Sequence, residues 1–380
     1  MHSSKVNFFD LDLQYQKYKN EINNNILKTL NKSQYILGNE VKKFENSISK
    51  LSSTKYSVGT SSGTDSLLIS LLAIGIKKGD EVITASFSWL SVIEVILLLG
   101  AKPVYVDINV DDFNINCEEL KKKINKKTKA IISVSLFGYP CELDKISKIA
   151  KKNKIILIED SAQSFGAKIN QKPLSTYADI TCYSFFPSKI LGAYGDAGAV
   201  ATDNLKIYKK LFEIRNHGQK KYAISNNLIG INGRLDEIQA SILNFKLSLY
   251  KKEIILRNKV AEKFITLFKK KNIIGYTIKK RKYNHVYGQF SFLVKNRRSF
   301  IKNFTKNNIP TKVFYPTPLY KQYNQKILIK NKNTEFCCKH IVSIPINIYS
   351  QKRLLKVYNC LAELMTKNEK IFYKKKYISN

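Results

Sequence analysis

The sequence predicts an α/β protein with a mostly parallel central sheet in a large domain and a smaller α/β domain at the C-terminal end. Three observations predict it. A chain of 380 residues with 44% hydrophobic and 11% aromatic residues can bury a substantial core. From residue 56 to about 205, short apolar segments alternate with amphipathic ones, the pattern of a parallel sheet with helices on both faces. From about 258 onward, helix and strand patterns mix and aromatic residues are scattered through them.

Taken in order, strands are expected at 55–58, 81–85, 102–107, 130–135, 155–159, 180–184 and 199–202. Helices are expected between them at 64–72, 88–99, 117–124 and 142–152, where apolar residues recur at helical spacing. Residues 205–257 read as helices broken by a polar loop over 217–232. This divides the chain into an N-terminal arm (1–13), a large domain (14–257) and a small C-terminal domain (258–380). The arm is expected to pack beside the small domain or the functional site. The basic tail, with Lys374, Lys375 and Lys376 in a row, is expected to be solvated.

The longest apolar run, 92–100, is interrupted by Glu94 and is too short to span a bilayer. The opening residues Met1-His2-Ser3-Ser4-Lys5 lack the apolar core of a signal peptide, so cytoplasmic residence is expected. The six cysteines show no metal-ligand spacing, which predicts free thiols and no metal site. The formal net charge of +36 would suit a nucleic-acid surface if it were concentrated. Instead the lysines run from end to end beside an excess of Asn and Ile. That reads as compositional drift, and no nucleic-acid partner is expected. A basic surface would still attract an anionic small substrate.

Four segments carry chemistry. Gly59-Thr-Ser-Ser-Gly-Thr-Asp65 follows a strand and opens an apolar helix. It reads either as a phosphate cradle built on free N–H groups and the helix dipole, or as an ordinary capped helix start. Trp89, the single tryptophan, follows a strand, and suits either a core position or stacking on a flat ring. Asp160 and Gln163 lie one helical turn apart after an apolar strand. They read as a helix cap, or as a carboxylate for a protonated pyridine nitrogen with an amide for the adjacent ring oxygen. Lys189 stands in Ser184-Phe-Phe-Pro-Ser-Lys189, followed by Gly192, Gly195 and Gly198. An amine among hydroxyls and glycines suits a Schiff base with a carbonyl cofactor, and with the strand-end aspartate it suits pyridoxal phosphate.

Further segments recur in a fixed order: Gly79-Asp-Glu-Val-Ile83, Ala101-Lys-Pro-Val-Tyr-Val-Asp107, Glu159-Asp-Ser-Ala-Gln-Ser-Phe-Gly166, Arg215-Asn-His-Gly-Gln219 and Asn232-Gly-Arg-Leu-Asp-Glu-Ile-Gln-Ala240. With the segments above, this resembles the DegT/DnrJ/StrS family of pyridoxal-phosphate-dependent nucleotide-sugar aminotransferases, over about residues 7–360. Within it the chain is similar to the branch acting on UDP-linked 3-keto N-acetylglucosaminuronate (UDP-2-acetamido-2-deoxy-3-oxo-glucuronate). The resemblance implies the aspartate-aminotransferase-like fold (fold type I), pyridoxal 5′-phosphate as cofactor, and a homodimer with shared active sites. Lys189 then matches the Schiff-base lysine, Asp160 the partner of the ring nitrogen, and Gln163 the contact to the 3′-hydroxyl. Gly63, Thr64 and Ser184 match the phosphate site, Trp89 the aromatic over the ring, and Asn232 a residue reaching the phosphate from the partner subunit. Arg234, Tyr315 and Tyr320 are candidates for the substrate side.

The expected reaction moves an amino group from glutamate to a keto sugar nucleotide for surface polysaccharide biosynthesis. The alternatives are a 4-keto-6-deoxy sugar as acceptor, or a cofactor-binding regulatory pseudo-enzyme. A related sugar dehydratase would carry histidine where Lys189 stands. The chain departs from the family pattern in four places. Ala193 and Ala197 replace small residues, the second a glycine that matters if the position needs a positive φ. Tyr320 and Asn347 stand where relatives carry histidines.

Overall fold

The computed structural model describes residues 5–220, 228–277, 282–323 and 329–374. Part of the polar loop over 217–232, and most of the basic tail, lie outside the described residues.

Seven strands form the central sheet: β1 (Tyr56–Thr60), β2 (Glu81–Ala85), β3 (Lys102–Val106), β4 (Thr128–Val134), β5 (Ile156–Asp160), β8 (Ile180–Ser184) and β9 (Gly198–Thr202), in the order β1-β9-β8-β5-β4-β2-β3. The short strands β6 (Lys168–Ile169) and β7 (Lys172–Pro173), which sequence patterning does not signal, pair with β10 (Tyr283–Asn284) in a separate three-stranded sheet. In the main sheet β9 alone runs antiparallel to its neighbours; β2 with β3, β2 with β4, β4 with β5 and β5 with β8 are parallel. All five residues of β2 and of β9 are buried, so the sheet is covered on both faces.

The helices of this region are α1 (Leu11–Asn31), α2 (Asn39–Ser52), α3 (Gly63–Ala73), α4 (Ser91–Leu98), α5 (Cys117–Lys123), α6 (Leu143–Lys152), α7 (Leu205–Ile214) and α8 (Glu237–Lys246). Three of these starts, those of α3, α5 and α7, are capped by a side chain. Ser62 accepts from the Asp65 N–H, Asn116 from those of Glu118 and Glu119, and Asn204 from those of Lys206 and Ile207. The helix expected at 88–99 begins only at Ser91, which leaves 86–90 as a loop at the end of β2.

The C-terminal region holds the pair β11 (Phe290–Leu293) and β12 (Ile341–Ile344), with α10 (Arg297–Lys306), α11 (Lys332–His340) and α12 (Gln351–Lys367). A 21-residue helix, α9 (Tyr250–Lys270), connects the two regions, and residue 257 falls inside it. Its N-terminal Tyr250 belongs to the core of the large sheet, whereas Val260, Phe264 and Phe268 belong to a second core with Phe292, Phe300 and Leu361. Val6 of the N-terminal arm is part of that second core. Arg353 of α12 ties the arm down through Asp10 at 2.8 Å and Asp12 at 3.0 Å. No helix among the described residues is long and apolar enough to cross a membrane. All six cysteines are buried and free.

Candidate active site

The sheet's register gathers the chemistry at one edge. Asp160, the last residue of β5, pairs with Cys182 of β8; two residues on, Ser184 ends β8 opposite Gly198, which pairs across with Thr60 at the end of β1. Carboxyl ends of parallel strands are where such sheets bind ligands, because the chain turns away there and leaves a crevice.

The first wall of the crevice is the start of α3. A Cβ built on Gly63 would lie 2.5 Å from the Ser184 Cβ, so only glycine lets the helix N-terminus close onto the end of β8. Gly198 is held the same way: a Cβ there would come within 2.4 Å of the Ser62 carbonyl oxygen. Ser62 caps the Asp65 N–H at 3.0 Å. The Gly63 and Thr64 N–H groups precede the intrahelical ladder and stay available at the positive end of the helix dipole. The two readings of this segment are therefore compatible, since the cap takes one donor and leaves others for an anion.

Asp160 is buried, and burial raises its carboxyl pKa, opposed by a 3.0 Å hydrogen bond from the Ala162 N–H and by the charge of Lys189. Lys189 shows the complementary effect. Burial lowers its ammonium pKa and the Asp160 charge raises it. Each charge offsets the other's desolvation. Glu159, on the opposite face of β5, is fully buried and hydrogen-bonded to Ser133. Burial pushes its pKa up to about 8, so a neutral acid sits next to the Asp160 carboxylate.

The segment carrying Lys189 is pinned at several points. The Lys189 N–H donates to the Phe186 carbonyl at 2.9 Å, and the Ala193 N–H to the Phe185 carbonyl at 2.7 Å. A Cβ on Gly192 would meet the Pro187 carbonyl oxygen at 2.3 Å, so the chain folds back on itself only with glycine there. Buried Lys246 of α8 donates from Nζ to the Gly192 carbonyl at 2.5 Å, and burial brings its pKa down to about 8. Ala197 is not among the residues with positive φ, so its methyl group meets no backbone strain. Sequence reasoning had no way to single out Lys246 in a chain with 65 Lys and Arg residues.

Gln163 accepts from the Phe137 N–H at 2.9 Å and donates to the Tyr315 hydroxyl at 2.9 Å. Tyr315 comes from the C-terminal region, and its ring lies 5.9 Å from both Phe87 and Trp89. Trp89 itself is 54% exposed, which removes the core reading and leaves a flat indole on the rim of the crevice. Asn232 and Arg234 lie on an extended segment beside β1, where Asn232 bridges to Asn216 and Arg234 to Thr60. Asn232 is exposed, and Arg234 Nη1 donates to Asn216 Oδ1 at 2.7 Å. Tyr320 is not brought to this edge. It is buried against Ile93, Tyr105 and Leu319, and its hydroxyl donates to Glu335 at 3.1 Å. Asn347, at the other position where a histidine was expected, is buried and donates to the Asn7 carbonyl at 3.3 Å.

These residues fit pyridoxal phosphate. The glycine-closed helix start suits the phosphate, the buried Asp160 a protonated ring nitrogen, and Lys189, its pKa lowered by burial, the aldehyde. Fold and donor set together define a pyridoxal-phosphate-dependent aminotransferase. The chain belongs to the DegT/DnrJ/EryC1/StrS aminotransferase family, whose model matches residues 16–360. It is 37% identical to the UDP-2-acetamido-2-deoxy-3-oxo-D-glucuronate aminotransferase of Pseudomonas aeruginosa, over 93% of this chain and 98% of that protein. It is also 37% identical to a pleiotropic regulatory protein of Geobacillus stearothermophilus, over 83% of this chain and 86% of that one. Among solved structures, NtdA of Bacillus subtilis with bound cofactor PMP superposes with a TM-score of 0.88 at 28% identity, covering 97% of this chain and 86% of that one. The expected family, fold and cofactor are borne out, and the relatives of similar length include nucleotide-sugar aminotransferases.

Proposed function

We propose that this protein transfers the amino group of glutamate to C3 of a UDP-linked 3-keto N-acetylglucosaminuronate, in the cytoplasm, as a homodimer whose active sites are shared. The observation that carries the reading is the placement of half-buried Lys189 in the glycine-closed turn after β8, beside buried Asp160 at the carboxyl edge of the sheet, where each charge opposes the other's pKa shift. The substrate choice leans on the 37% identity to a 3-keto uronate aminotransferase over nearly the whole of both chains.

When bound, pyridoxal phosphate carries the amino group between the two half-reactions and accepts the electron pair of the deprotonated carbon. The residues of the chain do the rest. Gly63, Thr64 and Ser184 hold the phosphate, with Asn232 reaching that of the partner subunit. The Asp160 carboxylate keeps the ring nitrogen protonated, Gln163 fixes the ring oxygen, and Trp89 covers the ring. Lys189 Nζ takes the proton from the α-carbon of glutamate and later delivers one to C3 of the sugar. Proton transfer by a positioned amine is worth about 10²–10⁴-fold. Burial helps it, because a lowered ammonium pKa leaves more free amine at neutral pH. Arg234 and Tyr315 are the substrate-side contacts we favour. The Tyr320 hydroxyl already has a carboxylate partner, and its ring packs against Tyr105.

The test is to incubate the purified protein with pyridoxal phosphate, glutamate and the 3-keto uronate nucleotide, and to look for the aminated sugar by mass spectrometry. Product from a 4-keto-6-deoxy sugar nucleotide alone would move the assignment to that substrate. The similarity to a regulatory protein keeps one other reading in view. A visible band that glutamate fails to bleach, with no product from any keto sugar, would favour a cofactor-binding regulator.

A further inference from the structure

Behind Lys189 lies a cavity enclosed by the arm residues Phe8–Leu11, α9, and the segment after β12. Arg257 of α9 lines it together with Asp10, Gln14, Gln289 and Lys189. The Nε of Arg257 is shut off from solvent without a hydrogen-bond partner, and its guanidinium makes no ion pair within 4.0 Å among the described residues. Acidic groups are near but engaged. Asp10 is paired with Arg353 at 2.8 Å, and Glu253 accepts from Gln14 at 3.0 Å and from Tyr349. Burial lowers the Arg257 pKa, which marks the desolvation that its neighbours leave uncompensated.

The Nη groups of half-buried Arg257 carry no hydrogen bond or ion pair among the described residues, and a guanidinium that opens onto a cavity can be paired there by an anion. Its planar fork matches a carboxylate in two parallel hydrogen bonds. The same cavity holds three acceptors without donors, Asp10 Oδ2, Gln14 Oε1 and Gln289 Oε1.

We infer that Arg257 anchors a substrate carboxylate in the cavity that Lys189 shares. The inference rests on the proposed aminotransferase reading. Two carboxylates occur in that reaction, that of the amino donor and that of the uronate, and they offer Arg257 the same chemistry.

Binding to the holoenzyme separates the two. Calorimetry would use glutarate, which lacks an amino group and cannot react, and the pair UDP-N-acetylglucosaminuronate and UDP-N-acetylglucosamine, which differ in the carboxylate. If the donor is the source, Arg257→Gln weakens glutarate by about 10–100-fold and leaves both nucleotides within about twofold. If the sugar is the source, the variant leaves glutarate alone and abolishes the preference for the uronate. Arg257→Lys retains charge but loses the fork, and should fall between wild type and Arg257→Gln; it also serves if the glutamine variant does not fold. Visible absorbance of bound cofactor and an unchanged melting temperature report folding independently of activity. Unchanged binding of both probes in a folded variant would overturn the inference. A wild-type enzyme that binds glutarate through Arg257 yet aminates no keto uronate would break the proposed substrate and leave the inference standing.

Discussion

The two sides of the crevice are built differently. On the sheet side, each group proposed to face the cofactor comes from a short contiguous segment: Gly63 and Thr64 on one helix start, Asp160 and Gln163 on one strand end, Ser184 and Lys189 on one turn. Backbone register brings these segments together, and glycines at 63, 192 and 198 allow contacts that no side chain would permit. On the C-terminal side, the contacts join residues far apart in the chain: Tyr315 to Gln163, Asn347 to Asn7, Arg353 to Asp10, Tyr320 to Tyr105. The comparison teaches that the cofactor face is set by local geometry that tolerates little change. The C-terminal side is a packing arrangement in which side chains can be exchanged, as buried Tyr320 and Asn347 show.

The largest effect should come from the sheet side. Lys189→Ala is expected to abolish turnover, a loss of at least about 10²–10⁴-fold, while the melting temperature holds. Measurable turnover by a pure variant, assayed by mass spectrometry, would remove Lys189 from the proton path.

Glu159 gives the next effect, and it has a sign. The folded carboxyl releases its proton near pH 8, well above the ordinary 4.5. Between those values the folded state binds more protons than the unfolded one, so this group's stabilisation is complete below pH 4.5 and is lost as pH rises toward 8. The slope is at most about 1.4 kcal/mol per pH unit. Glu159→Gln should flatten that part of the denaturant-derived stability profile. An unchanged slope would mean that Glu159 is already ionised in the folded protein.

Gly63→Ala tests the glycine closure. Pushing a methyl group into Ser184 should cost about 1–3 kcal/mol of stability and weaken cofactor retention. Ser184→Gly in the same chain should restore the stability, though not the phosphate contact. A stable Gly63→Ala protein with normal cofactor affinity would show that the sheet side is as forgiving as the other.

The smallest effects sharpen the contrast within the C-terminal side. Tyr315→Phe removes a hydrogen bond to Gln163 and should lower kcat by about 3–10-fold. Tyr320→Phe removes the bonds to Glu335 and to the Asn331 backbone, and should cost about 0.5–1 kcal/mol of stability with kcat and KM unchanged. A kinetic effect of Tyr320→Phe larger than that of Tyr315→Phe would reverse their assignment.

The sequence by itself determined the alternation of strands and helices, the mostly parallel sheet, the family and the cofactor. These depend on features local in the chain: apolar runs of strand length, a capped helix start, and a lysine in a turn of small residues. Strand ends were legible to within one or two residues, and Asp160 proved to close β5 rather than follow it. The tertiary structure decided what depends on partners distant in sequence. It put Trp89 on the rim instead of in the core, and turned Tyr320 into packing. It also left Arg257 facing a cavity without a partner, and gave Lys246, one lysine among many, the Gly192 carbonyl to hold. The physical reason is that burial and pairing are properties of a residue's surroundings in space. A pattern along the chain specifies which face a residue occupies, but only the folded neighbours decide whether its charge is matched.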